Sequence, residues 1–387
     1  MNRGSRASRT SDAVALLPAA DSLPAEVVYP GGDQRRVNPG SVQDESTVPA
    51  RTARGAGRRA RGPFGSFRPP RRGYAGPVEP SRQLPQLEGG LFLTDGGLET
   101  VLIFHRGLEL PEFAAFPLLE DEVGIVALRD YYRPYLELAR DRGAGFVLES
   151  PTWRANPDWA RRLGYGPDEL ARANLRAIGL MQELREEFAP GVAPIVISGC
   201  IGPQSDGYSP TTHLDAEAAR EYHAAQIAAF AEAAADLVTV MTMTYADEAV
   251  GVALAARDLA MPAVISFTVE TDGRLPSGQS LGAAIEQVDA LTGGSPAYYM
   301  VNCAHPTHFE GVLDGPWCER IGALRANAST MSHAELDEAE KLDEGDPDDL
   351  AARYAALRGR LPQLRVLGGC CGTDHRHVAA ISREWPA

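Results

Sequence analysis

Only one lysine, Lys341, occurs in 387 residues, and cysteines number five. Basic character therefore falls to arginine, so arginine-rich stretches partly reflect composition bias rather than selection for phosphate contacts. The cysteines, at 200, 303, 318, 370 and 371, are too few, and odd in number, for a disulfide framework. They suit a reduced, cytoplasmic compartment with reactive or metal-bound thiols. No apolar run approaches the roughly 20 residues needed to span a bilayer, so no membrane partner is expected. "AVALLPAA" near the start is short, contains proline and follows Asp12, so a signal peptide is not expected either. Net positive charge is missing as well. A balance of −15 argues against a general binder of nucleic acid or membrane surfaces.

Charge is unevenly spread. Residues 1–85 hold fourteen arginines against seven acidic residues, about +7, which leaves about −22 for the rest. "RTARGAGRRARGPFGSFRPPRRG" has no helical or strand period, and its composition buries too little surface to offset chain entropy. We expect 1–85 to be a disordered Arg/Gly/Pro-rich tail. It reads either as a dispensable or translated upstream segment, or as an RNA- or anion-binding arm.

From about residue 90 the pattern changes. Eight short apolar runs appear: "LFLTDGG", "GFVLES", "PIVISGC", "DLVTVMTMT", "PAVISFT", "YYMVNCA", "IGALRANAS" and "LRVLGGCC". Each is dense in aliphatic or aromatic residues and ends in small or polar ones. Helix signals lie between them. Asn156-Pro157, Asp215, Ser280, Ser332 with Glu335, and Asp346-Pro347 all fit helix starts. Strands alternating with helices imply parallel strands joined by crossovers. Eight such units in about 300 residues predict an α/β fold, a single (β/α)8 TIM barrel over 88–385. A doubly wound open sheet is the alternative, weakened because no GxGxxG follows the first strand.

In such a barrel, chemistry collects at the carboxyl ends of the strands. Strand one runs into Asp95-Gly96-Gly97-Leu98-Glu99, strand two ends at Glu149 and strand three at Cys200. Strand six ends at Asn302-Cys303, strand seven at Arg325-Ala326-Asn327 and strand eight at Cys370-Cys371. Three thiols, Cys303, Cys370 and Cys371, are thus expected to converge in one mouth. Three thiolates suit Zn²⁺, a borderline-soft ion, and leave one tetrahedral position open, as in catalytic sites. Gly368, Gly369 and Gly372 give the backbone the freedom a vicinal pair needs. Cys200 could also enter the mouth, whereas Cys318 beside Trp317 reads as packed. His305 and His308 flank Cys303, and a Cys/His cage could be drawn from these with His375 and His377. The latter two fall in the first turn of the last helix, which favours a supporting or surface role.

At these residues the sequence resembles the homocysteine S-methyltransferase family, through "TDGGLET", "VNCAHP" and above all "LGGCCGT". The resemblance spans roughly 88–385 and implies a (β/α)8 barrel. It further implies that Cys303, Cys370 and Cys371 hold Zn²⁺ and that the substrate thiol takes the fourth position. The partners implied are a small-molecule thiol, homocysteine, and a methyl donor, with methionine as product. Asp95, Gly96 and Gly97 would meet the amino-acid end of homocysteine, with Glu99 and Asn302 also at the substrate. One departure stands out. The family's strand-four glutamate, which helps bind the substrate ammonium, aligns with Met241. Glu99, Glu149 or Glu270 could substitute, or the acceptor could be another thiol. The segment "SFTVETDGRLPSGQSL" reads either as a donor pocket or as turns. No segment resembles a cobalamin or folate module, which favours a small onium donor. Two other classes remain open: a metal-assisted hydrolase or lyase with His305 or Asp95 as base, and a zinc or redox sensor. Oligomeric state is not legible.

Overall fold

The protein is described by a computed structural model, over residues 84–208 and 212–385. The expectation of disorder over 1–85 lies outside the described residues, apart from Leu84 and Pro85.

All eight apolar runs form strands. They are β1 (Phe92–Leu93), β2 (Gly145–Glu149), β3 (Ile195–Ile201) and β4 (Leu237–Met243). There follow β5 (Ala263–Phe267), β6 (Tyr298–Asn302), β7 (Ile321–Ala326) and β8 (Val366–Gly369). Neighbours pair in parallel in sequence order and β8 closes on β1, giving the predicted barrel rather than an open sheet. Every strand residue is buried, as expected where one face meets the barrel interior and the other meets helices.

Short turns and helices follow the strands. α1 (Leu98–Thr100) and a π-turn (Val101–His105) lead to α2 (Glu122–Arg142), capped by Asp121 accepting from Gly124 N at 2.8 Å. α3 (Pro157–Arg162) and α4 (Pro167–Phe188) follow β2. α5 (Ala216–Glu232), α6 (Ala246–Asp258) and α7 (Leu281–Thr292) follow β3, β4 and β5. α8 (Pro306–Phe309), α9 (His333–Asp337), α10 (Pro347–Leu357) and α11 (His375–Arg383) complete the ring. The capping residues read from sequence do what was expected. Asp215 and Ser280 accept from Ala218 N and Ala283 N, and Ser332 with Glu335 forms a capping box. Among the described residues no helix is long and apolar enough to cross a membrane.

Strand parity decides what fills the barrel. One interior layer is apolar: Phe92, Val147, Val196, Leu237, Val264, Met300, Ala323 and Val366 pack together. Each aliphatic side chain there contributes about 1.5–3 kcal/mol on burial. Two residues further along each strand, on the same face, stand Thr94, Glu149, Ser198, Thr239, Ser266, Asn302, Arg325 and Gly368. The interior therefore turns from apolar to polar in one step, at the carboxyl mouth. Ser198 and Thr239 share a hydrogen bond at 2.7 Å within that polar layer.

Candidate active site

The mouth opens into a cavity of about 520 Å³. Strand ends form its floor, and the segments 98–113 and 329–343 form parts of its wall. Cys303, Cys370 and Cys371 line it together.

Their sulfurs lie within 4.8 Å of one another although Cys303 is 67 and 68 positions from the adjacent pair. Cys303 and Cys371 Sγ are 4.0 Å apart. Tetrahedral thiolates at about 2.3 Å from one ion stand about 3.8 Å from each other, so this spacing fits a shared ion. Cys303 and Cys370 are joined as a disulfide, so two of the three expected ligands meet each other directly. The cluster is thus a candidate metal centre in its reduced state, with Cys303, Cys370 and Cys371 as ligands.

Local backbone geometry aims these sulfurs. Cys303 takes φ +54, in the left-handed region that a side chain rarely adopts, and turns off the end of β6. Such a position costs on the order of 1–3 kcal/mol and needs the surroundings to hold it. The Cys303 carbonyl accepts from His333 Nε2 at 2.8 Å, Asn327 Nδ2 at 3.1 Å and Thr268 Oγ1 at 3.3 Å. His333 stacks on Tyr208, whose hydroxyl donates to Cys371 Sγ at 3.5 Å. Cys370 N donates to Ala326 O at 2.8 Å, and its carbonyl accepts from Thr373 Oγ1 at 2.7 Å. Gly372, at φ +78, allows the chain to turn directly after the pair. Burial pushes the Cys371 thiol up to about 11, so a nearby cation is needed to hold it as thiolate at neutral pH.

The residues expected at the substrate all line the cavity, but several are already engaged. Asp95 pairs with Arg325 at 2.9 Å and accepts from Tyr131 at 2.8 Å and Thr94 at 3.0 Å. Gly96 O accepts from Arg325 Nη2 at 2.8 Å, and Gly97 N donates to Thr373 O at 3.0 Å. These contacts fasten the first-strand loop to the chain carrying the cysteine pair. Asn302 Oδ1 accepts from Thr242 N at 2.9 Å, and its Nδ2 donates to Thr242 Oγ1 at 2.8 Å. Asn302 thereby clamps Thr242, another left-handed residue at φ +61, and lies 3.9 Å from Cys370 Sγ. Glu99 and Glu149 both line the cavity, and burial pushes each carboxyl up to about 7.

Other candidates fall outside. Glu270 bonds His333 Nδ1 at 3.1 Å and does not line the cavity. His305 likewise faces Thr307 at 2.8 Å, and burial lowers it to about 4. His308 bonds Thr330 O, and His377 bonds Asp374 and Glu344 O, so no histidine joins the sulfur cluster among the described residues. Cys200 is buried in the cavity floor without joining the cluster, and Cys318 packs in the core. The "SFTVETDGRLPSGQSL" segment is a turn, with Gly273 and Gly278 at positive φ and Asp272 accepting from Arg274 N. None of its residues from Thr268 onward lines the cavity.

Sequence reading assigned no role to Arg325, Tyr131, Tyr208 or His333. Arg325 is the hub: buried, it bonds Asp95, Gly96 O and, at 2.9 Å, Gly369 O. Burial opposes its charge, but Asp95 and Glu149 outweigh that and raise its pKa. The available signal was a lone arginine at interior parity in an otherwise apolar strand. A close-packed (β/α)8 barrel with three convergent cysteines and buried carboxylates at its carboxyl mouth has the layout of an enzyme, with the cysteines as a candidate metal site.

The chain belongs to the homocysteine S-methyltransferase family, whose model matches residues 92–385, and is a methyltransferase. It is 24% identical over 322 residues to homocysteine S-methyltransferase 1 of Brassica oleracea var. italica, covering 76% of this chain and 94% of the relative. The protein of the same name from Arabidopsis thaliana is 22% identical over 321 residues, with the same coverage. In fold it is similar to the homocysteine methyltransferase MmuM from Escherichia coli, in metallated form. That likeness has a TM-score of 0.60 at 19% identity, over 77% of this chain and 97% of MmuM. MmuM in an oxidised form gives 0.60 at 20% identity, over 76% of this chain and 96% of that one.

Proposed function

We propose that this barrel transfers a methyl group from a small onium donor to the thiol of homocysteine, giving methionine, with Zn²⁺ held by Cys303, Cys370 and Cys371. The carrying observation is the convergence of these three sulfurs on one cavity at the carboxyl mouth. The donor set is all sulfur, which suits zinc. Bound zinc supplies a stabilised substrate thiolate at neutral pH, where a free thiol is mostly protonated. The rest is positioning by the chain's own residues. The acceptor sulfur loses its proton and forms a bond to the methyl carbon. The carbon–onium bond breaks, and its electron pair leaves with the neutral donor product.

Asp95, Gly96, Gly97, Glu99 and Asn302 stand at the substrate end of the cavity. Arg325 and Thr373 fix the first-strand loop, and Asn302 fixes Thr242. A cationic donor is favoured by charge: among the described lining residues acidic side chains outnumber the basic Arg154, Arg325 and Lys341. The chemistry needs free thiolates, which suits a reducing, cytoplasmic setting. Hydrolysis or elimination loses support, because His305 is outside the cavity and Asp95 is paired. Another thiol acceptor is the second reading, and Met241 is the observation behind it: it lines the cavity where the family resemblance places a glutamate.

The test uses reduced, zinc-loaded protein with homocysteine and a panel of sulfonium and quaternary ammonium donors. Methionine should form, cease on chelation and resume on zinc addition. Zinc bound without methyl transfer to any thiol would refute the assignment.

A further inference from the structure

Glu149 ends β2 at interior parity, directly above Val147, and is 5% exposed. Its Oε2 is buried and has no hydrogen-bond partner among the described residues. Burying a carboxylate oxygen without a donor is unfavourable, and the strongest remedy is a cation that donates hydrogen bonds. None of the cations lining the cavity gives a hydrogen bond to that oxygen. Arg325 acts on Glu149 through its charge but gives its hydrogen bonds to Asp95, Gly96 O and Gly369 O; Arg154 pairs with Asp206, and Lys341 is exposed. Across the floor, Cys200 on β3 and Met241 on β4 pack in the same interior cluster and bring no charge.

The other carboxylates compete poorly. Asp95 is saturated by Arg325, Tyr131 and Thr94. Glu99 is less deeply buried than Glu149, so leaving its carboxyl without a donor is less costly. Glu270 is turned to His333, away from the cavity.

We infer that Glu149 receives the protonated amine of the methyl acceptor, which makes the acceptor an amino thiol held by the cysteine cluster at one end and by this carboxylate at the other. The carboxylate missing from the fourth strand at Met241 is thus supplied from the second. This rests on the thiol methyl-transfer reading and narrows it. In homocysteine four bonds separate sulfur from nitrogen, so one molecule presents both groups to a single cavity.

The experiment measures calorimetric binding of two thiols to zinc-loaded protein: homocysteine and 4-mercaptobutyrate, which lacks the amine. Wild type should prefer homocysteine by about tenfold or more, the size of one charge-assisted hydrogen bond. Glu149→Gln should abolish that preference and leave 4-mercaptobutyrate binding within about threefold. Adding Met241→Glu to Glu149→Gln should restore the preference from the fourth strand, across the same cavity. Equal weakening of both ligands by Glu149→Gln, or unchanged homocysteine binding, overturns the inference. Should that variant not fold, the wild-type ratio still decides, because a protein without preference between the thiols has no amine site. Failure of wild type to bind any thiol is a distinct result: it removes the methyl-transfer reading, and this inference with it.

Discussion

Replacing Arg325 by methionine tests whether the site is held by one buried charge. The substitution preserves length but removes the ion pair to Asp95 at 2.9 Å. It also removes hydrogen bonds to Gly96 O at 2.8 Å and Gly369 O at 2.9 Å. Both groups of the pair are buried, so Asp95 is left with only its neutral donors, Tyr131 and Thr94. Stranding a buried charge in this way costs about 3–5 kcal/mol. For a domain of this size each kcal/mol moves the melting temperature by about 2 °C, so a fall of about 6–10 °C is expected. Asp95→Asn in the same chain removes the stranded charge, and the double variant should recover at least about 1 kcal/mol relative to the sum of the singles. Denaturant unfolding of wild type, both singles and the double measures this coupling. Metal analysis should show weaker zinc retention in Arg325→Met alone, because the arginine anchors the carbonyl directly before Cys370. Single effects that add within about 0.5 kcal/mol would refute the hub.

The remaining predictions concern the sulfurs, the turn and the buried acid. Cys303→Ser and Cys371→Ser should each lower bound zinc well below one equivalent, whereas Cys318→Ala should destabilise the core and leave metal content unchanged. Gly372→Ala places a side chain at φ +78 and a Cβ 2.6 Å from Asp343 O, so it should cost at least about 1–2 kcal/mol in chemical denaturation and weaken zinc binding. Burial pushes Glu149 from 4.5 up to about 7, so the folded state holds this proton more tightly than the unfolded chain. Its contribution favours folding at acid pH and is lost as pH rises from about 4.5 through about 7. Wild type should therefore lose roughly 3 kcal/mol relative to Glu149→Gln between about pH 4 and pH 8, read from unfolding curves at each pH.

Much of the barrel was legible because its signals are local. Eight short apolar runs and side-chain caps such as Asp215 and Asp346 act within a few residues of themselves. Helices without such marks were harder to see. α6 begins after Tyr245 with no side-chain cap, and its run of alanine and valine is buried nearly throughout, so it carries little amphipathic period. The cysteine cluster was legible for another reason. Barrel topology brings every strand's carboxyl end to one mouth, so three thiols at strand ends must face each other.

What the sequence hid is pairing across long separations. Arg325 and Asp95 are 230 positions apart, and no spacing rule links an arginine on the seventh strand to a loop after the first. Parity nonetheless carried a usable signal. In "GFVLES" and "IGALRANAS" a charged residue stands on the face that two positions earlier carries an aliphatic one. A charge there must point into the barrel, where it needs either a partner or a task. Arg325 has its partner in Asp95. Glu149 keeps an oxygen without one, and that difference, visible only once burial and contacts are known, separates a residue that builds the site from one left to meet the substrate.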